Sequence, residues 1–120
     1  MRIITLNCNG IRAAARKGFF EWLSGQEADF VCLQETRIQP FQRTDDIFFP
    51  KGYTNCYVDA EKPGYSGVAL YCRRKPDRIQ EGLGWSDFDS EGRWVQADYG
   101  RLSVVSIYLP SGSSGDVRQE

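Results

Sequence analysis

The sequence predicts an α/β fold, and three observations carry that prediction. Two short apolar runs, Arg2–Leu6 and Asp29–Leu33, bracket a helical stretch. Beyond residue 53, β-rich segments follow one another in close order. Turn signals rather than helices separate those later segments. The first unit therefore reads strand, helix, strand, and the remainder reads as antiparallel hairpins.

Composition sets the outer bounds. The chain has 120 residues, 41% of them hydrophobic and 26% charged, which suits one soluble globular core. Lys and Arg number 15 against 16 Asp and Glu, so a nucleic-acid partner would have to meet a local basic face. Histidine is absent, which excludes Ser-His and Cys-His nucleophiles and any His-ligated metal. Cys8, Cys32, Cys56 and Cys72 show no paired spacing, and three of them sit in apolar runs. Reduced, packed thiols are expected. Met1-Arg2 leads straight into a short strand, and no apolar run nears the ~20 residues a membrane span requires. A cytoplasmic protein without membrane contact follows as the expectation.

Each element has its own warrant. Arg2–Leu6 and Asp29–Leu33 are unbroken apolar runs, the pattern of strands covered on both faces. If they run parallel, their carboxyl ends share one edge. Arg12–Lys17 offers good helix formers and Phe19–Leu23 a helical pattern, together one helix that Gly25 stops. Residues 38–52 and 82–92 read as surface loops. Strands are predicted at Tyr53–Val58, Val68–Arg73, Arg78–Gln80, Trp94–Tyr99 and Leu102–Leu109, with Pro- and Gly-containing turns between them. Ser111–Gly115 reads as a flexible loop. One helix cannot cover both faces of so many strands, so an apolar face would lie open. Residues 1–120 are therefore expected to form the amino-terminal portion of a single longer domain, or else to be covered by a partner.

Chemistry concentrates where the two apolar runs end. In "VCLQETR" (31–37) a buried strand finishes on Glu35, a hard oxygen donor suited to Mg²⁺ or Mn²⁺. A surface ion pair with Arg37 or Arg12 is the bland alternative. In "LNCNG" (6–10) Asn7 could donate to a phosphate oxygen or orient that carboxylate, while Asn9 reads equally as a helix cap. Tyr65, between two glycines in "EKPGYSGVALYCRR", could press on a nucleic-acid backbone or simply decorate a turn. Tyr108 in "SIYLPSG" could hydrogen-bond a phosphoryl oxygen or be half-buried packing. Arg12, Arg16 and Lys17 place positive charge in the first helical stretch, where the dipole disfavours it.

Taken in order, "IITLNCNGIRAAARKGFFEWL", "ADFVCLQETR", "GYSGVALYCRRKP", "EGRWVQADYG" and "VSIYLPSGSSG" resemble the amino-terminal half of the exonuclease III family of apurinic/apyrimidinic endonucleases. The resemblance covers essentially the whole chain. It implies part of a four-layered α/β sandwich, two β-sheets flanked by helices. It also implies a DNA-repair phosphodiesterase that cuts 5′ to abasic sites and removes 3′ blocking groups or nucleotides from double-stranded DNA. The implied cofactor is Mg²⁺, with Mn²⁺ as an alternative, and the complete protein is expected to be a monomer. Residue by residue, Glu35, Asn7 and Asn9 match metal-site positions, and Tyr108 and Asn7 match catalytic ones. Arg12, Ala13, Lys17, Gly64 and Tyr65 match positions that touch the DNA backbone. The family's later motifs, a G-D-x-N segment and an Asp-His pair, are not in these residues, so the 120-residue chain alone is expected to be inactive. A non-catalytic nucleic-acid-binding regulator on the same fold is the alternative, and a phosphodiesterase for another phosphate ester is a third reading.

Overall fold

A computed structural model describes residues 1–110; the Ser111–Gly115 loop lies outside them. Strand β1 (Ile3–Asn7) and strand β2 (Phe30–Gln34) pair in parallel, with Asn7 opposite Gln34. Helices α1 (Ile11–Arg16) and α2 (Phe19–Ser24) connect them. The expected single helix is thus two. Gly18 takes a left-handed φ of 92° and ends α1 after Lys17, a conformation other residues reach only with strain.

Strand β3 (Thr54–Val58) pairs antiparallel with β4 (Val68–Cys72), which in turn pairs antiparallel with β2. The resulting sheet has the order β1-β2-β4-β3. A second, antiparallel sheet holds β5 (Arg78–Glu81), β6 (Trp94–Tyr99) and β7 (Leu102–Ile107) in chain order. The two sheets lie face to face. Phe30, Cys32, Leu70 and Cys72 meet Val95, Ala97, Tyr99 and Val104 between them. On the outer face of the first sheet Val31, Leu33, Ala69 and Tyr71 pack against Ile11, Phe19, Phe20 and Leu23. Helices, sheet and sheet thus stack in succession, as expected of part of a four-layered sandwich.

Three expectations are corrected. Strand β1 is not covered on both faces. Ile3 is 51% exposed and Leu6 37%, because among the described residues β1 is an edge strand paired only with β2. The stretches read as surface loops also supply core. Ile38 and Phe48 are buried in the first and Phe88 in the second, where a short helix α3 (Ser86–Asp89) forms. Asn9 does not cap α1; Gly10 occupies that position, without a side-chain bond. The four cysteines are free thiols, and Cys8, Cys32 and Cys72 are buried.

Candidate active site at the strand ends

Parallel pairing puts the carboxyl ends of β1 and β2 on one edge, the place where α/β sheets bind ligands. Asn7 Nδ2 donates to Glu35 Oε2 at 2.6 Å. The same side chain's Oδ1 accepts from the Asn9 backbone N–H at 3.0 Å, closing an Asx-turn that fixes the amide. Arg37 donates to Glu35 Oε1 at 2.7 Å. An Asx-turn at Asn7 is therefore present alongside the site geometry, as is the ion-pair reading of Glu35. That pair is worth under about 1 kcal/mol at such exposure, so its effect is to hold an orientation rather than to stabilise the fold.

Tyr108 follows β7 and is anchored through its backbone N–H to the Arg93 carbonyl at 2.9 Å. Its half-buried phenol faces Glu35. The Asn7 hydrogen bond, aided by Tyr108 and Arg37, holds the Glu35 carboxyl below its ordinary value, and burial, second in size only to Asn7, opposes them. Burial and the Glu35 charge push the Tyr108 phenol up. At neutral pH the edge therefore presents a carboxylate beside a protonated phenol.

The second sheet is tied to this edge. Gln34 Nε2 donates to Thr5 Oγ1 at 3.1 Å and to Ser106 Oγ at 3.3 Å, and Ser106 Oγ donates to the Leu33 carbonyl at 2.9 Å. The loop bearing Tyr65 is tied as well. Thr36 N–H donates to the Gly67 carbonyl and Arg37 N–H to the Ser66 carbonyl, at 3.1 and 2.8 Å. Tyr65, 40% exposed, lies close enough to Tyr108 to influence it electrostatically, and the Lys62 ammonium sits 5.4 Å from its ring centre. Neighbouring Gly64 takes a φ of 73°.

Backbone strain is concentrated here. Asn9, Glu35, Arg37 and Ser66 have φ between 49° and 54°, in the left-handed region that side-chain-bearing residues seldom adopt. Each is buttressed by a bond within the cluster.

The remaining expected residues border the same edge. Arg12 reaches across to the Arg37 carbonyl at 3.4 Å. Ala13 and Lys17 line an adjacent cleft together with Asn7 and Asn9. Sequence reasoning missed Thr36, Ser66 and Gly67 as the tie between the two loops. It weighed Arg37 only as a surface partner. The positive φ at Glu35 left no signal in residue type.

Among the described residues no cluster of three acidic, histidine or cysteine side chains occurs. One carboxylate held by an amide and without thiolate or imidazole partners fits a hard cation that keeps most of its water shell, and it does not fit zinc.

Paired sheets with a carboxylate, an amide and a phenol at the strand ends define a class, the α/β domains that bring hard-oxygen donors to one sheet edge. The chain belongs to the Endonuclease/Exonuclease/phosphatase family, whose sequence profile matches residues 4–119. It is 35% identical over 116 residues to an exodeoxyribonuclease of Bacillus subtilis, covering 96% of this chain and 45% of that protein. It is 34% identical over 120 residues to the DNA repair nuclease APEX1 of Danio rerio, covering 98% of this chain and 39% of that one. The Xenopus laevis APE2 catalytic domain superposes with a TM-score of 0.82 at 27% identity, covering 99% of this chain and 48% of that structure. The chain thus spans less than half the length of each. The family is one of metal-dependent nucleases.

Proposed function

We propose that this chain supplies the metal-and-phosphate part of a DNA-repair phosphodiesterase. The reaction is hydrolysis of the phosphodiester 5′ to an abasic site, and removal of 3′ blocking groups or nucleotides, on double-stranded DNA. One observation carries the reading: Asn7, Glu35 and Tyr108 converge on a single edge, with Asn7 and Glu35 2.6 Å apart. The names of the relatives support it.

Mg²⁺, or Mn²⁺ in its place, is the ion that this donor set suits. Glu35 would hold it, with the Asn7 and Asn9 carbonyl oxygens nearby, and when bound it supplies positive charge against the phosphate and the leaving oxygen. The chain's own part is orientation. Asn7 fixes the carboxylate rotamer, and the Tyr108 O–H stands ready to donate to a phosphoryl oxygen. Arg12, Ala13, Lys17, Gly64 and Tyr65 flank the edge and would track the DNA backbone. A protein that only bound DNA would gain nothing from an ionised carboxylate among phosphates, because the like charges repel.

Glu35→Gln in the protein carrying this chain keeps the shape and removes the charge. Cleavage of a duplex holding an abasic-site analogue should fall at least about a hundredfold at limiting metal. Unchanged cleavage under that condition rejects the assignment.

A further inference from the structure

The break at Gly18 leaves a cleft of about 470 Å³ between the end of β1 and the two helices. Leu6, Phe19 and Trp22 form its apolar walls, and Trp22 is 51% exposed with its ring centre 6.1 Å from that of Phe19. Lys17 is the one charged residue of the lining. Asn7 and Asn9 line it as well, and Asn7 bonds Glu35.

This volume is in the range that takes a small organic molecule, far more than an ion needs. The lining pairs an exposed indole with amides and one ammonium. An indole accepts a planar ring, while amides and an ammonium accept an anion. A ligand with both features is a nucleotide. We propose that the cleft is a nucleoside subsite, taking the sugar and base of a nucleotide whose phosphate lies at the Asn7–Glu35 edge. The base stacks on Trp22, which makes Trp22 a specificity-determining residue. The inference rests on the phosphodiesterase reading and adds a second contact to it.

The test uses the chain itself, titrated with deoxyadenosine 5′-monophosphate and followed by tryptophan fluorescence and calorimetry. Deoxyribose 5-phosphate, which lacks the base, is the comparison ligand. The wild type should bind the nucleotide with quenching and bind the sugar phosphate more weakly. Trp22→Leu should lose the quenching and weaken nucleotide binding about ten- to a hundredfold. Trp22→Phe should retain most of the affinity, which separates a lost stack from a lost fold. Lys17→Gln should weaken both ligands alike. Nucleotide binding by Trp22→Leu equal to wild type overturns the proposal, as does a wild type that prefers neither ligand. Mn²⁺ binding, read on the same samples and on Glu35→Gln, separates the two ideas. Glu35-dependent Mn²⁺ binding without any Trp22 effect removes the subsite alone. A Trp22 effect without Mn²⁺ binding leaves the subsite and removes the metal reading.

Discussion

Asn7 uses both ends of one amide, donating to Glu35 and accepting from the Asn9 backbone. Asn7→Ala removes the donor and opens the turn, so the Glu35 carboxyl should rise toward its ordinary value. Metal affinity of the protein should drop about tenfold or more, measured by Mn²⁺ titration. Gly67 is held for another reason. At its φ of 90° an added Cβ would stand 2.3 Å from the buried Thr36 Oγ1, which has no hydrogen-bond partner among the described residues. Gly67→Ala should therefore cost at least about 2 kcal/mol in a urea titration. It should also shift the Tyr65 loop, which DNA affinity would report. Residue chemistry alone left turn, ion-pair and packing readings of Asn7, Glu35 and Tyr108 open, and only the family resemblance singled the three out. That they stand at strand ends was legible, because strand ends are local. The tie between Thr36–Arg37 and Ser66–Gly67 was not, since it joins segments about thirty residues apart.

Elements show the same division. The parallel pairing of β1 and β2 and the later hairpins follow from apolar runs and turn residues. The split between α1 and α2 had a visible signal in Gly18, outweighed by the helix formers around it. Phe88 was misplaced because Asp87 and Asp89 on either side mask a single inward side chain, and Phe48 because the apolar run Ile47–Phe49 is short and bounded by Asp46 and Pro50. Strands β2 and β4, and the residue just past β1, also bury thiols. Burial pushes Cys8, just past β1, from 9.0 to about 12 and Cys32, in β2, from 9.0 to about 11. The folded chain therefore holds these protons more tightly than the unfolded chain. That contribution is whole below pH 9 and is lost as pH rises through about 11 to 12. The urea midpoint should fall over this window, and iodoacetamide at pH 8 should leave both thiols unmodified until the chain is unfolded.

At the scale of the molecule, β1 has an edge unpaired among the described residues, with Ile3 and Leu6 exposed on opposite faces. Such an edge recruits other strands. The 120-residue chain should therefore self-associate at high concentration, and Ile3→Lys with Leu6→Lys should reduce this in sedimentation velocity. The β1 run gave no warning of its exposure, since a pattern of apolar residues reports what a strand can bury, not what is there to cover it. The left-handed residues carry a consequence for anyone seeking a hardier version of this protein. Among the described residues five side-chain-bearing positions hold that conformation, and four of them, Asn9, Glu35, Arg37 and Ser66, surround the site. The fifth, Glu27, is exposed and lies before the start of β2, at the end opposite Glu35. Glu27→Gly should raise the melting temperature by relieving about 1 kcal/mol of backbone cost, at no loss of function. Arg37→Gly would relieve a similar cost while freeing the Glu35 carboxylate to wander. Heat resistance and catalytic order are therefore separable at residue 27 and opposed at residue 37.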